Sequence, residues 1–306
     1  MQGLVVKNTG SDIWVQFADG NVQTCKIRGN FRIQGIKSTN PVVVGDIVEV
    51  DSNNQISDIL PRKNHIARRP VNLSRRIHII AANIDVALLV VTIKNPETST
   101  VFIDRFIASA EAYGVPTILI FNKIDLLNHQ ETAQLNELID IYQSIGYKCI
   151  KAVATSRQGI LDIETEIEGK ITLLSGNSGV GKSTLINSLT GENRAKTAEI
   201  STYHQKGMHT TTFSEMYGLN NRSYLIDTPG IKGFGVVDMD KDEISHYFVE
   251  IFATGRACRY PNCRHIQEPD CAVLHAVDEG KISASRYHSY LSMIEEVSGD
   301  DKYRGK

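Results

Sequence analysis

The chain has 306 residues, 41% apolar and 22% charged, enough for about two ordinary globular cores or three small ones. Its net charge of -2 and pI near 6.5 exclude a uniformly basic nucleic-acid coat, so any such surface is local. No apolar run reaches the roughly 20 residues of a bilayer span, the N-terminus has no leader-like pattern, and five cysteines are an odd count that argues against a disulfide framework, so a cytoplasmic protein is expected.

Residues 1 to about 60 read as short strands: Gly3–Lys7, Ile13–Phe17, Val22–Lys26, Val42–Val50 and Gln55–Leu60, with Asn8-Thr-Gly-Ser and Ala18-Asp-Gly-Asn as turns. Five strands in so little chain predict a small β-barrel, an OB-fold or a barrel of the SH3 type. A basic stretch follows, with Arg62, Lys63, Arg68, Arg69, Arg75 and Arg76 and no acidic residue. It reads as a solvated linker or as a contact to a phosphate backbone, and the one-sided charge favours the second.

From about 77 to 235 the pattern turns α/β. Val86–Val91 and Thr117–Phe121 are continuous apolar runs, as parallel strands buried on both faces require. Phe102–Tyr113 and Leu135–Ile145 have helical period, and Lys148–Ala154, Ile171–Ser175, Phe213–Leu219 and Ser223–Ile226 read as strands. Lys182–Leu189 opens a helix. The alternation predicts a parallel, doubly wound sheet. Beyond Gly235 the chain reads as helical, over Ile244–Phe252 and Ala284–Val297, with a Cys/His loop between and a frayed tail from Ser298.

Gly176-Asn177-Ser178-Gly179-Val180-Gly181-Lys182-Ser183-Thr184 lies between a predicted strand and a predicted helix, the context in which a phosphate-binding P-loop is expected. The glycines let backbone N–H groups wrap phosphates, and the helix N-terminus adds partial positive charge. Lys182 is expected to reach the β- and γ-phosphates and Ser183 to ligate Mg2+. Asp227-Thr-Pro-Gly230 follows a strand; Asp227 belongs on the magnesium side and the Gly230 N–H at the γ-phosphate. Asn122-Lys123-Ile124-Asp125 ends another strand. A carboxylate at Asp125 accepts from both N1–H and the N2 amino group of guanine, a donor pair that adenine lacks. Asn122 steadies the loop and the base edge, the Lys123 stem covers the base, and an Ala154 N–H is placed to meet the guanine O6. GTP is therefore the expected ligand.

Position 231, where many GTPases carry a water-orienting Gln, is Ile. The long loop from Gly191 to Thr212 ends in His209-Thr210-Thr211-Thr212. Thr211 is expected on magnesium, and His209 is the nearest group to position water. In common GTPases the P-loop comes first. Here Asn-Lys-x-Asp precedes it, which implies a circularly permuted connectivity and makes the Asp227–Gly235 segment lead directly into the C-terminal region. There, Cys258-x4-Cys263-x-His265-x5-Cys271 supplies three thiolates and an imidazole, a closed tetrahedral set for one structural Zn2+.

With these motifs in place, the chain resembles the ribosome small-subunit-dependent GTPase A family over essentially its whole length. The resemblance implies three units: an RNA-binding OB-fold at 1–68, a circularly permuted GTPase domain at 69–235, and a helical zinc-binding domain at 236–306. It further implies action in late maturation of the 30S subunit, GTPase stimulation by that subunit, contacts to 16S rRNA, and a catalytic histidine matching His209. A monomer without membrane contact is expected. An RNA-binding module with structural GTP, or a permuted GTPase of the large subunit, are the competing readings.

Overall fold

The computed structural model describes residues 1–10, 12–27, 41–68, 78–191, 215–219, 222–227 and 239–304. Five strands form the first unit: β1 (Gln2–Asn8), β2 (Ile13–Phe17), β3 (Val22–Ile27), β4 (Ile47–Val50) and β5 (Gln55–Ile59). Alternation drives them inward. Ile13 and Val15 are buried while Trp14 between them is not, and Val48 and Val50 do the same on β4. The pairing runs β1-β2-β3-β5-β4 and returns from β4 to β1, with β3 and β5 parallel and the other pairs antiparallel. This closed five-stranded path is the OB-fold alternative of the two barrels expected. The fourth expected strand is shorter than Val42–Val50, because Val43–Asp46 makes a tight turn held by the Asp46 carboxylate on the Val43 N–H at 2.8 Å.

The basic stretch is partly structural. Arg62 donates to both oxygens of the fully buried Asp46 at 2.7 and 2.8 Å and to the Pro41 carbonyl at 2.8 Å. Lys63 pairs with Asp85. The next residues form β6 (His65–Arg68), which pairs antiparallel with β7 (His78–Ala82), and Ile66 and Ala81 enter the core of the following unit. Two of the six charges, Arg62 and Lys63, are thus paired within the protein. Arg69, Arg75 and Arg76 lie outside the described residues.

The central sheet holds β8 (Val86–Val91), β9 (Thr117–Asn122), β10 (Lys148–Ala152), β11 (Ile171–Gly176) and β13 (Tyr224–Asp227), all parallel, in the order β10-β9-β8-β11-β13. An antiparallel strand, β12 (Glu215–Gly218), joins its edge, so the sheet is mixed where a parallel one was expected. Residues alternate strictly between its faces. Ala87, Leu89 and Val91 meet α1 (Thr100–Ala112) and α2 (His129–Ser144); Val86, Leu88 and Val90 meet α3 (Ile160–Ile167) and α4 (Lys182–Thr190). Helix α2 starts six residues before its apolar pattern does, because Asn128 and Glu131 close a capping box. Helix α3 was not anticipated; its eight residues are too short for period alone to mark.

The last unit contains a 3-10 turn (Ile244–Tyr247), α5 (Val249–Gly255), α6 (Ala272–Asp278) and α7 (Ala284–Arg304). Ile244–Phe252 is therefore two pieces, split where Phe248 takes an extended conformation and buries its ring. The tail expected to fray continues α7 through Arg304. Tyr290, Met293 and Ile294 anchor the preceding turns, and extending a formed helix costs far less than nucleating one.

Helix α1 packs this unit onto the sheet. Ala108 of α1 belongs to the apolar cluster of Phe248, Ile251, Tyr290 and Met293. At its centre the buried Arg286 donates to Asp104 of α1 at 2.8 Å and to both oxygens of Glu250 at 2.7 and 3.0 Å. Tyr142 of α2 donates to the same Asp104 oxygen at 2.7 Å, and the guanidinium lies 4.6 Å from the Phe248 ring centroid. Burial pulls on the Arg286 charge, but Asp104 and Glu250 outweigh it and hold the guanidinium protonated. Among the described residues, no helix is long and apolar enough to cross a membrane.

Candidate functional site

The motif segments converge because of where their strands end. β9 ends at Asn122, β10 just before Val153-Ala154, β11 at Gly176 and β13 at Asp227. All four strands are parallel, so all four segments emerge at the same, C-terminal edge of the sheet, where ligands of open α/β folds bind.

Asn122, only 4% exposed, ties three of these segments together. Its Nδ2 donates to the Val180 carbonyl at 2.9 Å, and its Oδ1 accepts the Ala154 N–H at 3.1 Å. The Ala154 N–H, expected at the guanine O6, is donated here to Asn122, beside the Asn-Lys-x-Asp turn. Lys123 adopts a left-handed conformation and sends Nζ back to the carbonyls of Gly179 at 2.7 Å and Asn95 at 2.6 Å. The Lys123 stem therefore crosses from the Asn-Lys-x-Asp turn to the P-loop. Asp125, exposed, sits in the 3-10 turn that follows.

The P-loop is shaped by contacts that only glycine permits. Gly181 has φ +101°, and a Cβ there would fall 2.4 Å from Asn122 Nδ2; Gly176 has φ +143°, and a Cβ would fall 2.5 Å from the Val90 carbonyl. Ser178 and Gly179 stay exposed at the tip, and Val180 anchors the loop in the core. The N-cap of α4 is Gly181, which has no side chain to cap it, and the first turn, which includes Lys182, Ser183 and Thr184, holds no acidic residue. Lys182 Nζ donates to the carbonyls of Gly176 and Asn177, both at 2.7 Å. Burial pushes its ammonium below the usual lysine range, opposed by the Asp227 charge. Asp227 lies beside Leu174 on the neighbouring strand, at the same sheet edge as the loop. His209, Thr211, Gly230 and Ile231 lie outside the described residues.

The Cys/His loop forms a second centre. The ligand atoms of Cys258, Cys263, His265 and Cys271 all lie within 4.8 Å of one another. The Sγ atoms of Cys258 and Cys263 stand 3.8 and 3.6 Å from that of Cys271, and His265 Nδ1 stands 3.5 and 3.4 Å from the Cys258 and Cys271 sulfurs. Ligands at about 2.3 Å (S) and 2.0 Å (N) from a tetrahedral ion are separated by roughly 3.8 Å between sulfurs and 3.5 Å between sulfur and nitrogen. The spacing fits one such ion and is far too long for disulfides. Without an ion, burial pushes the Cys263 thiol up to about 12 and also raises Cys271. A bound dication would reverse this by taking the thiolates.

The backbone of that loop is fixed from outside. Glu268 accepts the N–H groups of Arg264 and Ile266 at 2.8 Å and of Gln267 at 3.1 Å. Burial would raise its carboxyl, but these donors hold it down to about 2. Tyr287 and Tyr290 of α7 donate to the carbonyls of His265 and Arg264 at 2.7 and 2.6 Å. Sequence reasoning passed over Asn95, Glu268 and the Asp104–Arg286–Glu250 group. The last left a signal: single charges on the apolar faces of α1 and α7.

Comparison with known proteins agrees with this architecture. Family models described as RsgA N-terminal domain and RsgA GTPase match residues 2–58 and 59–237. A protein named small ribosomal subunit biogenesis GTPase RsgA, from Phocaeicola vulgatus, is 56% identical over 308 residues, spanning 99% of each chain. The crystal structure of YjeQ from Thermotoga maritima superposes with a TM-score of 0.79 at 33% identity, covering 97% of this chain and 98% of that one. YloQ, described as a circularly permuted GTPase, superposes at 0.76 with 25% identity, covering 98% and 95%. With permuted motifs on one sheet edge, a closed barrel before them and a Cys3His cluster after them, the chain belongs to the RsgA GTPase family.

Proposed function

We propose that this chain binds GTP and hydrolyses it to GDP and phosphate during biogenesis of the small ribosomal subunit, with turnover stimulated by that subunit. The observation that carries the reading is the convergence of Asn122–Asp125, Gly176–Thr184 and Asp227 on one sheet edge, braced by Asn122. The relatives' printed name supplies the biological setting.

In this reading Asp125 accepts the guanine N1–H and N2 amino protons, while Asn122, Lys123 and Ile124 shape the base pocket. The amides of Gly176, Asn177, Ser178, Gly179, Val180 and Gly181, with those opening α4 up to Thr184, surround the phosphates. On binding, Lys182 exchanges its two loop carbonyls for phosphate oxygens, a gain because a buried ammonium pairs better with an anion than with neutral acceptors. Ser183, Thr211 and Asp227 hold Mg2+, which would neutralise charge on the β- and γ-phosphates. The Gly230 N–H meets the γ-phosphate. His209 orients the attacking water, whose oxygen bonds to the γ-phosphorus as the bond to the β,γ-bridging oxygen breaks. With Ile231 where a water-orienting Gln is common, turnover is slow until the subunit orders the site.

Residues 1–68 and 236–306 work as RNA-contacting and zinc-stabilised units flanking the GTPase unit at 69–235. The RNA partner is 16S rRNA within the 30S particle, and one Zn2+ sits on Cys258, Cys263, His265 and Cys271. The chain acts as a cytoplasmic monomer. GTPase rates measured with purified 30S, 50S and 70S particles test the reading: a sharp rise with 30S alone is expected, and an equal response to 50S sinks it. Single-turnover hydrolysis by His209→Ala tests the water-positioning role, and an unchanged rate removes it.

A further inference from the structure

The C-terminal unit holds a concavity that the GTP site does not use. A cavity of about 560 Å3 opens beside the Cys3His cluster, within the range of small-ligand pockets. Its lining includes Lys241, Asp242, His246, Phe252, Arg256 and Tyr260. Phe252 and Tyr260 are 38% and 39% exposed, although buried apolar space lies one turn away at Phe248 and Ile251. Each ring carries a guanidinium nearby: Arg256 lies 5.1 Å from the Phe252 centroid and Arg259 lies 5.6 Å from that of Tyr260. His246 stands edge-on to Phe252 at 4.9 Å.

Charge points the same way. The lining holds Lys241, Arg256 and Arg264 against a single carboxylate, Asp242, which pairs with Arg264 at 3.3 Å, so Lys241 and Arg256 carry the excess positive charge in a chain whose net charge is -2. An acidic peptide would use these cations but leave the ring faces wet, and a lone phosphate would ignore the rings altogether. A nucleotide uses both, its base on a flat aromatic or guanidinium face and its phosphate among the cations. The amide of Asn262 adds a group able to read a base edge.

We propose that this pocket takes one unstacked nucleotide of a single-stranded RNA. The inference rests on the reading that the chain works on an RNA particle, and it adds a base-holding site separate from the barrel. Cys263, Arg264 and His265 form part of the wall, so the metal loop sets the pocket's shape.

The test uses the full chain loaded with zinc. The probes are an RNA octamer containing 2-aminopurine, an abasic octamer with the same phosphates, free AMP and hexaglutamate. The expected result is quenching of 2-aminopurine on binding and roughly tenfold weaker affinity for the abasic octamer, in line with one stacked base. Phe252→Ala and Arg256→Ala each abolish the quenching and weaken octamer binding by about the same factor. Phe252→Ala leaves affinity for the abasic octamer unchanged, Arg256→Ala also weakens that octamer because it removes a phosphate-facing cation, and neither changes basal GTPase activity. Equal affinity for both octamers, insensitivity to Phe252→Ala, AMP binding as tightly as the octamer, or displacement of the octamer by hexaglutamate each overturns the proposal. A 30S stimulation assay on the same samples separates the two levels. Stimulation intact with an insensitive pocket rejects only this site, and no stimulation with no RNA binding rejects the functional reading as well.

Discussion

Replacing Arg286 with Met keeps an unbranched stem against Phe248 but removes the cation between two carboxylates. Asp104 and Glu250 have side chains 0% and 9% exposed, so neither can recover its hydration without opening the packing of α7 on α1. Breaking a buried ion pair by deleting one partner costs about 3–5 kcal/mol. For a chain of this size that is on the order of a 10 °C fall in unfolding midpoint. The loss is predicted to be localised: hydrogen exchange should accelerate in peptides from Thr100–Ala112 and Ala284–Arg304, while the barrel strands keep their protection. A second variant isolates the cause. Combining Arg286→Met with Asp104→Leu, Glu250→Leu and Tyr142→Phe removes both carboxylates that the cation satisfied and the hydroxyl that donates to Asp104, and apolar replacement of a whole buried polar group is often neutral. It should recover most of the lost stability. If Arg286→Met melts within about 1 kcal/mol of the parent, or if the combined variant is the less stable of the two, the argument from buried charge is wrong.

Three further outcomes are expected. Asp125→Asn replaces one carboxylate acceptor with a donor, which clashes with the guanine N2 amino group and suits the carbonyl that xanthine has there. GTP affinity should fall on the order of 100-fold, with XTP then preferred, as nucleotide titration would read; continued preference for GTP rejects the base-reading role. Asn122→Ala orphans the buried Val180 carbonyl and Ala154 N–H, which should cost about 1–3 kcal/mol of stability and weaken GTP binding together; a stability loss with unchanged affinity shows that the brace does not shape the site. Cys271→Ser, or chelation of the parent chain, should reduce metal content from one ion to none and release exchange protection around Cys258–Cys271, with basal GTPase activity retained. Loss of that activity would place the metal in the chemistry instead.

The site was legible where chemistry demands fixed residue types in a fixed spacing. Gly176, Gly181 and Lys182 announce a phosphate cradle, and the ligand spacing of Cys258, Cys263, His265 and Cys271 announces a metal, whatever surrounds them. The buried strands at Val86–Val91 and Thr117–Asn122 were equally plain, since few other elements are apolar at every position. Contacts between distant segments were not. Nothing local to Arg62 says that Asp46 will bind it, so a residue held in the barrel's base read as part of a free basic surface. Barrel type was likewise hidden, because strand order depends on which edges meet after the chain has folded back. The Ala154 contact was hidden for a related reason: the side chain that accepts its N–H lies thirty-two positions away.

The pairing of β1 with β12 does more than fasten the barrel to the GTPase unit. A sheet's outermost strand exposes a row of unpaired N–H and C=O groups, an open template onto which another chain can add a strand. At the β12 margin β1 meets the sheet at one paired position, Lys7 opposite Glu215, and continues into a barrel that closes on itself. At the opposite margin, β10, Lys148 and Lys151 reach to the flanking helices, to Glu166 of α3 at 2.5 Å and to Asn136 of α2 at 2.7 Å. The GTPase sheet thus runs on into the barrel at one margin, and that continuity depends on the N-terminal strands remaining attached.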